Sequence, residues 1–137
     1  MKIKAIREKL FYFIAVGLSI LFVTFFIGMN WIGYETKRLC MEAEWEYKKD
    51  DCVEALIAQL DDERQGFRTR NHAIWTLGQI GDGRALPVLQ KYYTGNIPDR
   101  EPLDDMISQY ELKKAVNLTS GGTNLFAFMW RGMFGED

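Results

Sequence analysis

Histidine, cysteine and proline are all scarce in this chain. Its 137 residues include one histidine, two cysteines and three prolines. The histidine and the cysteines lack the close pairwise spacing of zinc ligands, and two cysteines are too few for a disulfide-built scaffold. The sequence therefore predicts no metal site, and we interpret His72 as a packed or surface side chain.

Recognisable motifs for catalysis and for nucleotide binding are missing as well. The chain has no phosphate-binding loop, no nucleophile elbow and no GxGxxG fingerprint. Its paired acids fit helix caps and turns better than a catalytic dyad; the pairs are Asp50-Asp51, Asp61-Asp62 and Asp104-Asp105. We therefore predict a protein without catalytic residues, without a cofactor and without enzymatic activity.

Clustered positive charge is confined to a basic N-terminal tail, residues 1–9. Four basic residues and one acid give this tail a net charge of +3, whereas the remainder carries 13 basic and 18 acidic residues, a net charge of −5. Binding to nucleic acid requires clustered Lys and Arg that neutralise phosphates. The acidic remainder therefore argues against a nucleic-acid partner.

One long uncharged run dominates the N-terminal part of the chain. Residues 10–32 contain no formal charge, and as a helix they span roughly 35 Å, enough to cross a hydrocarbon core of about 30 Å. We predict a transmembrane helix over residues 10–33, with the lipid bilayer as its partner. A cleaved signal peptide is the competing interpretation, but the run is longer than a usual signal core and no small-x-small site follows it.

The charges that flank the run bear on topology. The basic tail precedes it, and Lys37 and Arg38 follow it, so the bias towards a cytoplasmic N-terminus is slight. We predict a single-pass cell-membrane protein with its N-terminus in the cytoplasm and its domain outside the cytoplasm. Ala15 and Ser19 have the small-xxx-small spacing of helix dimers, which makes a homo-oligomer a candidate state.

Residues 34–49 are predicted to form a juxtamembrane helix or linker that covers the next helix. Apolar side chains recur within it at spacings of four residues: Leu39, Ala43 and Tyr47, and also Met41 and Trp45. Cys40 and Cys52 flank eleven residues here, so they are a candidate disulfide if the chain doubles back. They remain two separate thiols if the segment is one straight helix.

The rest of the chain reads as two helix pairs within a domain over residues 50–119. Helical apolar spacing predicts helices over residues 52–60, 67–80, 84–93 and 103–118. Asp51 and Asp82 can cap helix N-termini, Gly81 can close a C-terminus, and Pro87 fits an early helical turn. Pro102 followed by acids predicts the start of the last helix, with Leu103, Ile107 and Tyr110 facing the first pair.

The corner between the middle helices carries a family resemblance. Residues 73–82 read AIWTLGQIGD and residues 84–89 read RALPVL. This pattern resembles the HEAT-like repeats of the phycobilisome-lyase type, and the match runs from about Asp51 to Tyr93. The resemblance implies a short HEAT-like α-α repeat domain. Together with the long apolar run, it predicts an all-α fold: a single N-terminal transmembrane helix followed by that repeat domain. It also implies that Arg70 pairs with a turn acid, Asp61 or Asp62.

Residues 120–137 form an apolar C-terminal segment after a glycine-rich break. Two helix pairs are fewer than the three or more repeats that usually stack stably, so we expect this segment to cap the last pair. The alternatives are that it lies in the membrane interface or in a partner's groove.

The function that these features predict is a membrane-anchored, non-catalytic scaffold or adaptor that binds another protein. A small accessory subunit of a larger membrane complex is the alternative, and a lyase-like factor is the third reading. Aromatic and arginine side chains are the commonest binding hot spots, which selects the candidate interface residues. They are Arg70, Trp75, Tyr92, Tyr93, Phe128 and Trp130.

Overall fold

The computed structural model describes residues 2–125, 127, 130 and 131, except for the side chains of residues 2 and 5. All regular secondary structure in this described part is helical. The helices are α1 (Lys2–Tyr47), α2 (Cys52–Asp61), α3 (Phe67–Ile80), α4 (Leu86–Tyr92) and α5 (Gln109–Thr119), with a 3₁₀ turn at Gly83–Ala85. The chain divides into two compact units, Met1–Ile32 and Gly33–Asp137.

The first unit contains the N-terminal part of α1. Most of its apolar side chains are exposed, and the helix is long and apolar enough to cross a membrane, with a mean hydropathy of 2.5 in its most apolar window. The hydroxyls of Ser19 and Thr24 donate to the carbonyls of Ala15 and Ile20, at 2.8 and 2.9 Å. These polar side chains are therefore satisfied by their own helix, as a lipid environment requires.

The second unit begins with the end of α1 and a reversal of the chain. Helix α1 ends at Tyr47, and Lys48 adopts a left-handed backbone conformation with φ of 51°. Asp51 then caps α2, because its side chain accepts from the backbone N–H of Glu54 at 2.9 Å. The segment between Cys40 and Cys52 is therefore not one straight helix, and it returns the second cysteine to the side of the first.

Two predicted features of the α3–α4 corner are confirmed. Gly81 closes α3 in the left-handed conformation, with φ of 72°, and its N–H donates to the carbonyl of Leu77. The carboxylate of Asp82 accepts from the backbone N–H of Arg84 at 2.8 Å and so caps the 3₁₀ turn. Pro87 lies in the first turn of α4, where its missing donor costs least.

Helix α3 lies at the centre of the second unit. It packs on α2 and on α5, and α4 also packs on α5. The core is built from fully buried side chains of every helix: Ala43, Leu56, Leu60, Ile74, Leu77, Leu89 and Leu112. Because α1 contributes Ala43, the end of the N-terminal helix is part of this core.

The prediction for the start of the last helix was wrong. Helix α5 begins at Gln109 rather than at residue 103, and the side chains of Leu103 and Tyr110 are exposed. The physical reason is competition for backbone groups. The buried amide of Asn71 on α3 donates to the carbonyls of Leu103 and Met106, at 3.0 and 2.9 Å, and holds this stretch as an irregular loop.

Helices α3 and α5 approach each other closely at Gly78 of α3. A Cβ atom placed there would lie 2.9 Å from the Cα of Ala115 on α5, so the contact leaves no room for a side chain. We expect Gly78→Val to lower the free energy of unfolding by about 2 kcal/mol, because overpacking forces the two helices apart. Urea unfolding followed by near-UV circular dichroism measures this loss.

Gly83→Val is the control for that experiment. Gly83 is exposed, and its nearest neighbour to an added Cβ is the carbonyl oxygen of Thr119 at 3.9 Å. We expect this variant to unfold within about 0.5 kcal/mol of the wild type. Equal losses at the two glycines would contradict the close packing of α3 on α5.

Candidate protein-binding surface

The end of α1 presents an exposed apolar stripe, which we define as Tyr34, Met41 and Trp45. Their exposed fractions are 70%, 52% and 87%. Because the three positions are separated by seven and four residues, they lie on one side of the helix. The stripe is about 16 Å long at 1.5 Å per residue.

The opposite side of the same helix is buried in the core of the second unit. Leu39 and Ala43 are 8% and 0% exposed, and Thr36 is fully buried beside them. Helix α1 is therefore apolar on two sides, of which the domain covers only one. The spacings of both sets are visible in the sequence, and they predict a spacer that covers the next helix. Spacing alone does not show which of the two apolar sides the domain buries, so the exposed side is identified only by the structure.

Charged residues border the stripe. The guanidinium of Arg38 donates to both Glu35 and Glu42, one of these bonds being the 3.1 Å contact from Nε to Oε2 of Glu35. The hydrogen bond from Arg38 lowers the pKa of Glu35, and the same bond raises the pKa of Arg38. Arg38 is thus bonded to one acid a helix turn before it and to another a helix turn after it. These bonds hold the charged side chains next to the stripe.

Four predicted interface residues lie elsewhere, and none of them is fully exposed. Arg70 is buried, and Trp75, Tyr92 and Tyr93 are half-buried. The guanidinium of Arg70 lies 5.5 Å from the centre of the Tyr92 ring, so these two side chains pack on each other. Their partial burial favours a structural role within the repeat.

The implied partner of Arg70 is a turn acid, and the structure shows a charge interaction with Asp61 without a direct ion pair. Against the effect of burial, hydrogen bonds from Lys91 and Tyr92 lower the pKa of Asp61, and the charge of Arg70 lowers it to a smaller extent. Arg70 Nε donates to the carbonyl of Leu60 at 2.8 Å, and no ion pair joins Arg70 to Asp61 or Asp62 within the described residues. The carboxylate of Asp61 instead accepts from Lys91 and Tyr92, at 2.8 and 2.6 Å. Arg70 therefore supplies a hydrogen bond to a carbonyl in the last turn of α2, where carbonyls lack partners within the helix.

The described part of the C-terminal segment packs on the domain. Trp130 is 3% exposed, and a Cβ placed on Gly33 would lie 3.0 Å from its ring. Asn124 donates to the side chain of Gln79 at 3.0 Å, and Arg131 Nε donates to the Gln79 carbonyl at 3.1 Å. Trp130 is thus a packing residue in this structure, and Phe128 lies outside the described residues.

The junction of α1 and α2 brings together two sulfur atoms and a carboxylate. Cys40 and Cys52 are joined in a disulfide, with their Cα atoms 5.3 Å apart. The Sγ of Cys40 lies 3.8 Å from Oε1 of Glu44, one turn further along α1. Cys40 is buried, whereas Cys52 and Glu44 are half-buried, so the junction is reachable from solvent.

Burial raises the pKa of Glu44, and the negative charges of Asp51 and Asp50 add to the effect. The folded state therefore favours the protonated carboxyl. This contribution to stability is complete below the pKa of the unfolded carboxyl, about 4.3, and is lost as the pH rises through the higher pKa of the folded state. With the disulfide intact, we expect Glu44→Gln to unfold at a higher temperature than the wild type at pH 7.

The two melting temperatures should converge as the pH is lowered towards 4. Glu46→Gln is the control for this comparison, because Glu46 is exposed on the same helix and accepts a hydrogen bond from Gln65. A gap between wild type and Glu44→Gln that is constant from pH 4 to 7 would contradict the raised pKa.

Residues 34–101 match the family model for HEAT repeats. These residues form a HEAT-like repeat domain. Comparison of the chain with curated proteins and with solved structures found no significant match.

The matched residues, 34–101, extend beyond the motif of residues 73–89 in both directions. The match begins at the end of α1, so it includes the exposed stripe, and it ends before α5. HEAT repeats stack their helices to form extended surfaces that bind other proteins. In this domain the stripe is an exposed apolar surface of that kind.

Proposed function

We propose that the protein is a membrane-anchored, non-catalytic adaptor whose HEAT-like domain binds a helix of a partner protein along the exposed stripe. The observation that carries the proposal is that Tyr34, Met41 and Trp45 are exposed together on one side of α1. An apolar surface with charged borders is typical of protein-binding sites, and aromatic side chains dominate their energetics. A helix is the occupant that matches a straight stripe about three turns long.

The membrane anchor supports the proposal because it raises the local concentration of the domain at the bilayer. Helix α1 is long and apolar enough to span a membrane, and it continues without a break into the stripe. A partner that is itself in the membrane would therefore meet the stripe at high effective concentration. We propose a cytoplasmic N-terminus and a domain on the other side of the membrane.

Two variants of the full-length protein test the binding surface. Met41→Ser combined with Trp45→Ser removes most of the stripe, whereas Leu103→Ser and Tyr110→Ser replace apolar side chains that are exposed elsewhere on the domain. We expect a partner that copurifies stoichiometrically in mild detergent to be lost with the first pair and retained with the second. The membrane fraction and the melting temperature should be the same for all variants.

A photo-crosslinking amino acid at position 45 identifies what covers the stripe. A crosslink to a helix of another membrane protein supports the proposal, and a crosslink to the same chain identifies a homo-oligomer instead. A partner that survives the loss of Met41 and Trp45, or turnover of a small molecule by the solitary protein, would overturn the proposal.

Topology has its own test. An introduced Asn96→Cys lies in the exposed loop after α4, and a membrane-impermeant maleimide labels it only from the side on which the domain lies. We expect labelling on intact cells. Labelling only after the membrane is opened would place the domain in the cytoplasm, and recovery of the whole chain in the aqueous fraction would remove the anchor.

A further inference from the structure

We propose that the junction of α1 and α2 is a redox-gated site for a soft or borderline divalent cation of the zinc class, bound by the thiolates of Cys40 and Cys52 and the carboxylate of Glu44. The ligand atoms of these three residues lie within 4.8 Å of one another. In the oxidised form described above, the disulfide occupies both sulfur atoms and closes the site. In the reduced form, the same three side chains offer two sulfur ligands and one oxygen ligand.

The backbone at the junction already has the separation that such a site needs. Zinc binds thiolate sulfur at about 2.3 Å in tetrahedral geometry, which places two sulfur ligands about 3.8 Å apart. The Cα atoms of Cys40 and Cys52 are 5.3 Å apart. Rotation of the side chains therefore suffices to move the sulfur atoms from bonding distance to ligand spacing, and the helices need not separate.

Charge favours a cation at this place. Asp50 and Asp51 directly precede Cys52, and the carboxylate of Glu44 lies close to the sulfur atoms, so a bound cation would offset an accumulation of negative charge at the junction. The neighbouring basic side chains are directed elsewhere: Arg84 pairs with Asp51 and Asp82, and Lys49 pairs with Glu54. Within the described residues no lysine or arginine forms an ion pair with Glu44.

The chemistry balances in two steps. A dithiol reductant transfers two electrons and two protons to the disulfide, which yields two thiols while the reductant becomes a cyclic disulfide. The two thiols then release two protons as their sulfur atoms bind the cation. Three protein ligands leave a fourth tetrahedral position for water or for an external ligand. Oxidation of the thiolates by a disulfide would reverse both steps and expel the cation.

Cobalt titration of the full-length protein in mild detergent tests the site. The protein is reduced with a phosphine, which becomes a phosphine oxide, and Co²⁺ is then added as a spectroscopic substitute for Zn²⁺. We expect one Co²⁺ per chain, with thiolate-to-cobalt charge transfer in the near ultraviolet and the strong visible bands of tetrahedral Co²⁺. Zn²⁺ should displace it, and the oxidised protein should show none of these bands.

Matched variants separate the ligands from their surroundings. Cys52→Ser should abolish the charge-transfer band, and Glu44→Gln should weaken Co²⁺ binding by about tenfold to 100-fold, the range measured when metal ligation is perturbed. Glu46→Gln on the same helix should bind as the wild type does.

Three results of the binding experiments would overturn the proposal. They are a reduced protein without the cobalt bands, equal binding by the oxidised protein, and a Glu44→Gln variant with unchanged affinity. A reduced chain that loses its helical circular dichroism and does not regain it with Zn²⁺ also overturns it, because the site exists only in the folded junction.

Discussion

Removal of the chain after Ser120 is expected to lower the free energy of unfolding by about 3 kcal/mol. The described part of this segment buries Ala127 and Trp130 on the domain and adds hydrogen bonds from Asn124 and Arg131 to Gln79. Burying one large apolar side chain contributes about 2–3 kcal/mol. Thermal unfolding of the full-length and truncated proteins in the same detergent measures the difference.

A pair of tryptophan substitutions isolates the burial. Trp130 is 3% exposed and Trp45 is 87% exposed, so the same change has opposite environments at the two positions. We expect Trp130→Ala to account for most of the loss caused by truncation, about 2–3 kcal/mol, because its side chain is the largest that the described part of the segment buries. Trp45→Ala should change stability by less than about 0.5 kcal/mol. An unchanged melting temperature after truncation would reject the capping role and favour the membrane-interface or partner-groove alternative.

Asn71→Ala is the second change with a large expected effect, again about 3 kcal/mol. The side chain of Asn71 is 4% exposed and makes three bonds: it donates to the carbonyls of Leu103 and Met106 and accepts from the backbone N–H of Ser108 at 2.9 Å. Each net hydrogen bond contributes about 1 kcal/mol, and alanine would leave the partners buried without a replacement. Urea unfolding measures the loss.

The loop before α5 should be affected more than the rest of the domain. Glu101 also holds it, because its carboxylate accepts from the hydroxyl of Ser108 and from the backbone N–H of Gln109, both at 2.6 Å. We expect Asn71→Ala to increase proteolysis within residues 101–108 under conditions in which the wild type is resistant. Asn96→Ala, in the exposed part of the preceding loop, serves as the control. Equal stability of the two variants would contradict the role assigned to Asn71.

The two proposals concern different sides of α1 and can fail independently. The stripe is on the exposed side, whereas Cys40 and Glu44 face α2 across the junction. The redox state of Cys40 and Cys52 depends on the side of the membrane on which the domain lies. A domain outside the cytoplasm favours the disulfide form, and a domain inside it favours the thiol form that binds a cation. The Asn96→Cys labelling experiment therefore also tells which of the two forms the compartment of the domain favours.

The candidate site was less predictable than the fold. The spacing of Met41 and Trp45 is visible in the sequence, but only burial of Ala43 and Leu39 shows that the core lies on the other side of α1. The predicted hot spots were chosen by residue type, and type does not distinguish a buried anchor from an exposed one. Arg70 and Trp130 illustrate this, because both are buried against their own chain.

Local chemistry determined most of the helices. The capping carboxylates of Asp51 and Asp82, the left-handed Gly81 and the helical spacing of apolar residues are properties of neighbouring residues, and the bounds of α3 follow from them. The family pattern and the long apolar run are likewise written in the order of residues. These signals therefore identified an all-α fold with one apolar N-terminal helix and a HEAT-like domain.

Tertiary structure alone decided the contacts between residues far apart in the chain. Asn71 delays the start of α5 because it binds carbonyls more than thirty positions away, and Gly78 is required because Ala115 approaches it from another helix. The bond from Arg70 to Leu60 replaces the expected ion pair in the same way. Such partners compete with local preferences, and the winner depends on which groups the folded chain brings within hydrogen-bonding distance.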